Sequence, residues 1–420
     1  MAIAAQGERR ATAQGVEYAM DSHAFDAKAR HRPLSLVFYD LNDPEDKKFW
    51  AGTAAHIIHG LRKAGHEVVS VGGHVPFLRR CILWLWYRFY RYSQGKNYHP
   101  DRHVSMTWLY TQIGNWKLRS YRKADAILTV SPPFTAFLKA QKPIFLLQDS
   151  TWGQIIETYP YFNENNQPVR IVRGGYELDA LCFKKENVNV VMASRWAAER
   201  AMRDYGVPQD RMHILPFGAN FEEDPSDETV TMGMANRGSG ECQLLFVGRE
   251  WERKGGPLAV EIAAALQSLG VRVKLHVVGC NPPGLPAFVQ VHGLLSKDKP
   301  EDNQRLHGLY ANSDFFVMPS RAEAQGIVFN EAAAYGLPVA AADVGGVSSV
   351  VLNGDWGLLL PLDTPARAYA EWLKALYEDR ERYEATARRA RQDFLTRLSS
   401  RAYIDSLVRI IHERLEAVSP

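Results

Sequence analysis

The sequence predicts an α/β protein made of two doubly wound parallel-sheet domains that face each other across a cleft. Three observations support this fold class. First, 420 residues are too many for one ordinary hydrophobic core. Second, short apolar runs alternate with helical patterns along most of the chain, as in βαβ units. Third, an acidic and then glycine-rich stretch, Glu222–Glu241, divides the series into halves of similar size.

The composition excludes several other classes of protein. Hydrophobic residues make up 46% of the chain and charged residues 23%, which are ordinary globular values. Lysine and arginine (50) nearly balance aspartate and glutamate (47), so no basic surface indicates nucleic-acid binding. The four cysteines lie far apart without a C-x-x-C pair, which favours a reducing compartment over a disulfide framework or a zinc site. No apolar stretch reaches the roughly 20 residues that span a bilayer, and early arginines exclude a secretory signal. We therefore expect a cytoplasmic protein.

The first half begins after a polar stretch, residues 1–32, that we predict to be a flexible tail. The N-terminal domain is then predicted at residues 33–222. It opens with the apolar run Leu34–Tyr39, continues with a helical pattern, and reaches a second apolar run at Glu67–Gly72. Because parallel strands need a crossover connection, this order indicates a parallel βαβ unit. Further runs are continuous rather than alternating, as in strands buried on both faces, and they start at Ala126, Ile144, Val188 and His213.

The second half repeats this organisation. Residues 223–241 are predicted to be a linker, and residues 242–400 a second domain. Its first strand, Leu244–Gly248, is followed by a helix whose leucines share one face. A final amphipathic helix is predicted from about residue 401 to residue 420. Ligands of doubly wound sheets bind at the carboxyl ends of the strands, so two facing domains predict a ligand in the cleft between them.

Two glutamates in the second domain have a spacing that suggests a ligand. Glu323 and Glu331 lie on either side of the start of a helix rich in small residues. If this segment were helical throughout, their Cα atoms would lie about 12 Å apart. The carboxylates of a glycosidase lie about 5–9.5 Å apart, so the pair suits the two ends of one extended ligand better than hydrolysis. The alternative is a surface helix with two solvated glutamates.

Two cations precede this segment in the chain. Arg249 and Lys254 lie between the end of a strand and the start of the next helix, in the run Val247–Gly256. Backbone N–H groups at a helix start favour anions, and two fixed cations would add charge-assisted hydrogen bonds to a diphosphate. The alternative is a solvated run of charges beside a turn.

The two segments, in this order and spacing, resemble the retaining glycosyltransferases of family 4, which have the GT-B fold. The family pattern is a strand ending in V-G-R, a nearby K-G, then E-G-F-G-x-x-x-x-E-A and G-x-P-V. Here it reads VGREWERKGG and EAQGIVFNEAAAYGLPV. The resemblance covers residues 244–376 most clearly, and 35–71 and 193–219 more loosely. It implies a glycosyltransferase of the hexosyltransferase type. Such an enzyme moves a sugar from a nucleoside-diphosphate sugar to an acceptor hydroxyl in glycan, polysaccharide or glycolipid synthesis. It also implies that the final helix packs back on the N-terminal domain.

The resemblance assigns roles to residues of the second domain. Arg249 and Lys254 would bind the diphosphate, Glu331 the ribose, and Glu323 the donor sugar near its reacting carbon. Glycines and short apolar side chains would complete the donor site. The base would lie near Gly293, and Gly345 and Gly346 would place backbone N–H groups beside the donor. The other residues of this set are Leu294, Leu295, Gly326, Ile327 and Val328. Two departures from the pattern bear on donor-sugar selectivity. Ala324 and Gln325 replace the usual G-F, and Ser348 and Ser349 stand where a glutamate is common.

The first domain contributes fewer candidates. Gly52 and Thr53 occupy the family's glycine-loop position, which faces the donor; a tight turn and a helix cap would explain them equally well. Asp149 ends a predicted strand where many members carry a histidine. We include it in the catalytic set, as a donor-sugar or acceptor contact, with Glu323, Arg249 and Lys254. A helix-capping role for Asp149 is the alternative.

The stretch Phe77–Lys96 is basic and aromatic. Arginines and aromatic rings of this kind partition to an anionic membrane surface, so we expect peripheral contact with the inner face of the membrane. The arginines are Arg79, Arg80, Arg88 and Arg91. The alternative is a partly buried helix whose arginines extend to solvent.

The sequence predicts neither a metal nor another cofactor. It contains no H-E-x-x-H, P-loop or Cys/His metal spacing, so Arg249 and Lys254 would carry the diphosphate charge. The predicted partners are a nucleotide-sugar donor and a glycan, a lipid-linked or a small-molecule acceptor, without nucleic acid. Two alternatives stay open: another GT-B enzyme, such as a nucleotide-sugar epimerase or phosphorylase, and a non-catalytic nucleotide-sugar-binding subunit.

Overall fold

Two six-stranded sheets, with every strand pair parallel, form the framework of the protein. The structure, a computed structural model, describes residues 32–72, 77–238 and 240–418. The predicted tail, residues 1–32, lies outside these ranges apart from its last residue. Helices cover the faces of both sheets, which confirms the predicted fold class of two doubly wound parallel sheets.

The first sheet has the strand order β2-β1-β3-β4-β5-β6. Its strands are β1 (Ser35–Tyr39), β2 (Glu67–Val71), β3 (Ala126–Thr129), β4 (Ile144–Gln148), β5 (Val188–Met192) and β6 (Met212–Ile214). The helices between them are α1 (Thr53–Lys63), α2 (Phe77–Gln94), α3 (Val104–Leu118), α4 (Pro132–Ala136), α5 (Trp152–Thr158), α6 (Val169–Phe183) and α7 (Arg195–Tyr205). The strand order reverses between β1 and β3. Strands β3, β4 and β5 are fully buried, as their continuous apolar runs predict.

The second sheet has the strand order β12-β11-β10-β7-β8-β9. Its strands are β7 (Cys242–Val247), β8 (Val273–Val278), β9 (Val289–Gly293), β10 (Phe315–Met318), β11 (Val339–Ala342) and β12 (Gly357–Leu360). The helices of this half are α8 (Asp227–Asn236), α9 (Gly256–Ser268), α10 (Pro300–Asn312), α11 (Ile327–Ala334), α12 (Ala366–Glu378) and α13 (Arg380–Asp393), and α14 (Ser400–Val418) follows. The order reverses between β7 and β10, and the crevice at such a switch point is where doubly wound sheets bind ligands.

The segment predicted as a linker contains helix α8. Ser226 caps this helix by accepting a hydrogen bond of 3.2 Å from the backbone N–H of Thr229, and acidic residues fill the first turn. Val230 is buried, and a Cβ on Gly233 would stand 2.6 Å from the carbonyl oxygen of Ala311. The segment is therefore a packed element of the second half. Its acidic and glycine-rich composition reflects a cap and a close contact.

The final helix, α14, packs against the first sheet. Its buried residues Ile404 and Leu407 belong to the same hydrophobic cluster as Ile57 and Leu61 of α1. A Cβ on Gly60 would stand 2.8 Å from Ile404, so a small residue permits this close helix contact. The chain thus passes from the first half to the second after β6, and returns to the first half at α14.

Candidate active site

The loops that follow β7 and β10 meet at the switch point of the second sheet. Gly255 lies in the first loop with a φ of 78°, in the left-handed region. A Cβ at this position would stand 1.9 Å from the carbonyl oxygen of Pro319 in the second loop. Only glycine fits such an approach, which explains the glycine after Lys254 in the sequence. The contact holds the two loops together.

Lys254 and Glu323 form an ion pair between these loops. The ammonium contacts the carboxylate, and the two side chains are only 13% and 9% exposed. Arg253 adds a second positive charge, with its Nη1 atom 3.8 Å from the same carboxylate oxygen and donating 2.7 Å to the carbonyl of Ala322. The buried carboxylate is therefore compensated by two cations. The structure brings together the residue predicted to bind phosphate and the residue predicted to contact the donor sugar.

Arg249 lies two residues after the end of β7, in the same loop as Lys254, and is exposed. Within the part of the chain that the structure describes, its guanidinium makes no hydrogen bond or ion pair. An exposed guanidinium can bind an anion without first giving up an internal partner. The predicted second phosphate cation is thus available at the carboxyl end of the strand.

Glu331 lies on α11 and is buried away from solvent. Its Oε1 atom contacts the ammonium of Lys297, and its Oε2 atom accepts a hydrogen bond of 3.0 Å from the hydroxyl of Tyr310. Helix α11 begins at Ile327, so Glu323 lies in the loop before it, and the spacing expected for a continuous helix does not apply. Gly326, with a φ of 84°, is the N-cap residue of α11 and joins the loop to the helix. The two glutamates therefore have separate surroundings.

The other residues predicted for the donor site differ in exposure. Ile327 and Val328 are half-buried at the start of α11. Leu294 is exposed and Leu295 is buried in the core of the second half. Of the two leucines predicted to lie near the nucleotide base, only Leu294 therefore has an accessible side chain.

Gly345 and Gly346 pack closely against the backbone of the loop that carries Glu323. A Cβ on Gly345 would stand 1.9 Å from the carbonyl oxygen of Glu323, and the backbone N–H of Gly346 donates 3.2 Å to that oxygen. A Cβ on Gly346 would also stand 2.6 Å from the Cβ of Ser194 in the first half. The N–H group of Gly346 therefore holds the backbone of Glu323, and the expected position of the two glycines beside a donor stays a prediction.

Asp149 follows β4 and faces the second half. Burial raises the pKa of its carboxyl, and the negative charge of Glu323 raises it further, although Ser150 opposes this by donating a hydrogen bond of 2.9 Å. The N-cap of α5 is Thr151, which forms a capping box with Gln154. The helix-capping alternative for Asp149 is therefore excluded. Its carboxyl lies close enough to Glu323 for the two charges to interact across the two halves.

At the turn before α1, Gly52 is itself the N-cap, with a φ of 82° and no side-chain cap. Thr53 is the first helical residue, and its hydroxyl accepts a long hydrogen bond of 3.4 Å from the side chain of Asn220. Thr53 is thus not the helix cap. It contacts the segment that joins the two sheets.

Tyr159, just after α5, is a site residue that sequence reasoning missed. Burial raises the pKa of its hydroxyl, and the charges of Glu323 and Asp149 raise it further. The backbone N–H of Ala324 donates to this hydroxyl, and the guanidinium of Arg253 lies 5.2 Å from the ring centroid. Arg253 stands in the same charged run as Lys254 and could have been proposed from sequence. Tyr159 lies in no motif that would have predicted its place in the site from the sequence.

Two of the residues that depart from the family pattern, Gln325 and Ser349, form hydrogen bonds with other parts of the chain. The side-chain amide of Gln325 accepts 2.8 Å from the backbone N–H of Phe217 and donates 3.1 Å to its carbonyl. Ser349 accepts 3.0 Å from the backbone N–H of Arg195 at the start of α7. Phe217 lies in the segment between the two sheets, and Arg195 belongs to the first half. Gln325 therefore joins the second half to the segment between the two sheets, and Ser349 joins it to the first half.

Within the described residues, no group of three or more histidine, cysteine, aspartate or glutamate side chains could hold a metal ion.

The sequence of the second half is similar to known glycosyltransferases. Residues 241–379 match the family described as glycosyl transferases group 1. D-inositol 3-phosphate glycosyltransferase of Xylanimonas cellulosilytica is 34% identical over 225 residues, which are 49% of this chain and 53% of that protein. The Nocardia farcinica protein of the same name is 32% identical over 207 residues, 46% of each chain. The chain thus spans about half the length of the curated relatives it matches.

Solved structures resemble nearly the whole chain. Sucrose-phosphate synthase from Thermosynechococcus elongatus has a TM-score of 0.63 at 15% identity, covering 92% of this chain and 100% of that one. Anabaena Alr3699/HepE in complex with UDP and glucose has a TM-score of 0.56 at 15% identity, covering 90% and 99%. The protein therefore has the GT-B fold. Residues 241–379 in its second half match the group 1 glycosyltransferases, in agreement with the resemblance to family 4 that the motifs predict.

Proposed function

We propose that this chain is a retaining glycosyltransferase that moves a sugar from a nucleoside-diphosphate sugar to an acceptor hydroxyl. One observation carries the proposal. Lys254, Arg253 and Glu323 meet at the switch point of the second sheet, where Asp149 and Tyr159 of the first half face them. The names of the relatives and the UDP bound by Alr3699/HepE support a nucleotide-sugar donor.

The cations would stabilise the leaving group. The bond between the anomeric carbon and the diphosphate oxygen breaks, and the negative charge that develops on the diphosphate is met by Arg249 and Lys254. Two cations beside the diphosphate would carry its charge, so we expect no requirement for a divalent metal. Arg253 would hold the loop of Glu323 while Lys254 divides its hydrogen bonds between Glu323 and the diphosphate.

The acceptor would react on the face that the diphosphate leaves. The acceptor oxygen forms the new bond to the anomeric carbon, and its proton passes to the departing phosphate oxygen. Glu323 would bind the donor sugar, and Glu331 would bind the ribose. Asp149, whose carboxyl pKa is raised by burial and by the charge of Glu323, would contact the donor sugar or the acceptor.

Product analysis tests this function. A thermal-shift panel of nucleotide sugars first identifies the donor, because a ligand of the native state raises its melting temperature. Nucleoside diphosphate should then be released only when an acceptor hydroxyl is present, with the anomeric configuration of the sugar retained. Release driven by inorganic phosphate would indicate a phosphorylase, interconversion of donors an epimerase, and binding without turnover a non-catalytic subunit.

We also propose that α2 brings the first half to the cytoplasmic face of an anionic membrane, where a lipid-linked acceptor is accessible. Helix α2 contains no acidic residue, and its described side chains from Trp84 onward are almost all exposed. The guanidinium of Arg88 lies 4.7 Å from the ring centroid of Trp84 and 5.0 Å from that of Tyr92. The side chains of Arg79 and Arg80 lie outside the described residues.

Helix α3 carries a second set of exposed apolar side chains, which the sequence did not indicate. Trp108, Leu109 and Trp116 are all at least half exposed. Exposed apolar patches of this kind mark interaction sites, and alternating arginines and aromatic rings suit an anionic lipid surface. Within the described residues, no helix combines the length and apolarity needed to cross a membrane. Surface binding is therefore the mode of contact that we propose.

A further inference from the structure

The ammonium group of Lys297 lies where three parts of the chain meet. Lys297 belongs to the segment between β9 and α10, and its Nζ atom contacts the carboxylate of Glu331 on α11. The same atom donates a hydrogen bond of 3.0 Å to the backbone carbonyl of Asn220 and lies 5.2 Å from the ring centroid of Phe221. Asn220 and Phe221 belong to the segment that joins the two sheets. One side chain therefore connects the predicted ribose carboxylate with the junction of the two halves.

The carboxylate of Glu331 depends on this ammonium for charge compensation. The Glu331 side chain is 3% exposed, and its second oxygen accepts a hydrogen bond from the neutral hydroxyl of Tyr310. A buried carboxylate that loses its cation is strongly destabilised. Lys297 and Tyr310 each use one lone pair, so both oxygens keep an acceptor site for hydroxyl donors such as those of a ribose. The two contacts orient the carboxylate without occupying it fully.

The segment around Lys297 also contacts the first half. The next residue, Asp298, lies 3.3 Å from the ammonium of Lys47, in the loop after β1. The side chain of Asn220 donates 3.4 Å to the hydroxyl of Thr53 at the start of α1. A displacement of Lys297 would therefore be transmitted to the glycine-loop turn of the first half.

We propose that Lys297 is a positioning residue that holds Glu331 ready for the donor ribose and ties that carboxylate to the segment between the two sheets. This inference rests on the proposed function, because it assumes that a nucleotide ribose binds at Glu331. Lys297 acts through Glu331 and is not itself a contact of the reacting atoms.

Binding measurements on full-length protein test the inference. The probes are UDP, GDP and ADP, followed by the 2′,3′-dideoxy analogue of whichever binds most tightly. Lys297→Met should raise the Kd of the ribonucleotide about tenfold and that of the dideoxy analogue less than about twofold. Lys299→Met removes the same charge from an exposed position two residues away and should leave both values unchanged. Lys297→Arg, which keeps the charge, should restore most of the preference for the ribonucleotide.

The outcomes separate the inference from the proposed function. If wild-type protein binds none of the three nucleotides, the inference fails, because it requires a nucleotide ribose at Glu331, and product analysis alone then decides the proposed function. If wild type binds one of them and a folded Lys297→Met variant keeps the same ratio of ribonucleotide to dideoxy Kd, only the inference is overturned. Tighter ribonucleotide binding by the variant would also overturn it, because Lys297 would then compete with the ribose. Should the methionine variant not fold, Lys297→Gln supplies the same ratio, with a smaller loss expected.

Discussion

Lys254 and Glu323 contact each other although 69 residues separate them in the chain. They meet because β7 and β10 are neighbours in the second sheet and both loops leave at the carboxyl edge. A donor diphosphate placed beside Lys254 would therefore lie next to the carboxylate predicted to bind the sugar. This adjacency links leaving-group stabilisation and sugar positioning in one ion pair.

Substitution of the two cations predicted to bind the diphosphate, Arg249 and Lys254, should have different effects on stability but similar effects on activity. Arg249→Ala and Lys254→Ala should each lower kcat/KM at least about tenfold, because each removes a charge that stabilises the departing diphosphate. Arg249 is exposed, so its variant should keep the wild-type Tm, whereas Lys254→Ala leaves Glu323 with less compensation and should lower it. Steady-state kinetics and thermal unfolding check both statements. Wild-type turnover in either folded variant would remove that residue from the mechanism.

Tyr159 should affect catalysis more than stability. Tyr159→Phe removes a hydroxyl that accepts a hydrogen bond from Ala324 beside Glu323. The Glu323 loop would lose a contact with the first half, so kcat should fall about tenfold while the donor Kd stays within about twofold. Tyr161→Phe, at an exposed position nearby, is the matched control and should leave kcat unchanged. Equal kcat values in the two variants would show that Tyr159 has no role in the site.

Activity should not depend on a divalent metal. We expect the diphosphate charge to be met by Arg249 and Lys254, so a metal bridge would be redundant. Turnover in excess EDTA should equal turnover in untreated buffer. Loss of activity with EDTA, followed by recovery with magnesium or manganese, would contradict the mechanism.

The sequence predicted those features of the fold and site that depend on local patterns. The buried strands follow from continuous apolar runs. The motifs assigned Lys254 and Glu323 to one donor site, but their ion pair was not predicted. Tyr159 and Lys297 were not found, because their roles arise from contacts with residues distant in the chain. Gln325 was noticed as a departure, but only the structure shows that its amide is bonded to the backbone of Phe217.

Asp40 should make stability depend on pH in the acidic range. It follows β1, is fully buried, and accepts hydrogen bonds from Ser131 and Asn42. Burial nevertheless raises the pKa of its carboxyl from 3.8 to about 6. Between these values the native state binds more protons at this site than the unfolded state does. The contribution of Asp40 to the free energy of unfolding therefore falls as pH rises, by about 3 kcal/mol at about 1.4 kcal/mol per pKa unit.

Asp40→Asn tests this contribution, because the amide keeps the shape of the carboxyl but cannot ionise. The stability of the variant relative to wild type should increase between about pH 4 and about pH 7, measured by urea unfolding at each pH. Asp363→Asn, at an exposed position, is the control and should give no such trend. A difference between the Asp40 variant and wild type that does not change with pH would refute the assignment.

Helix α2 should bind anionic vesicles. Most of its described aromatic side chains are exposed, and the overall charge of the chain is only +3, so the attraction must be local to this helix. Binding to vesicles that contain phosphatidylglycerol should weaken between low and high ionic strength, and vesicles of phosphatidylcholine alone should bind poorly. Flotation through a density gradient measures the bound fraction.

Charge reversal on α2 should abolish that binding. Arg88→Glu combined with Arg91→Glu replaces two cations on the proposed surface with anions, which the lipid headgroups repel. Arg203→Glu combined with Arg401→Glu makes the same change in net charge at exposed positions on α7 and α14. That control should float with the vesicles as wild type does, because the attraction is screened over about 10 Å and depends on which face carries the charge. Equal loss in both double variants would indicate a response to net charge alone. No association of wild type at any salt concentration would favour a water-soluble acceptor.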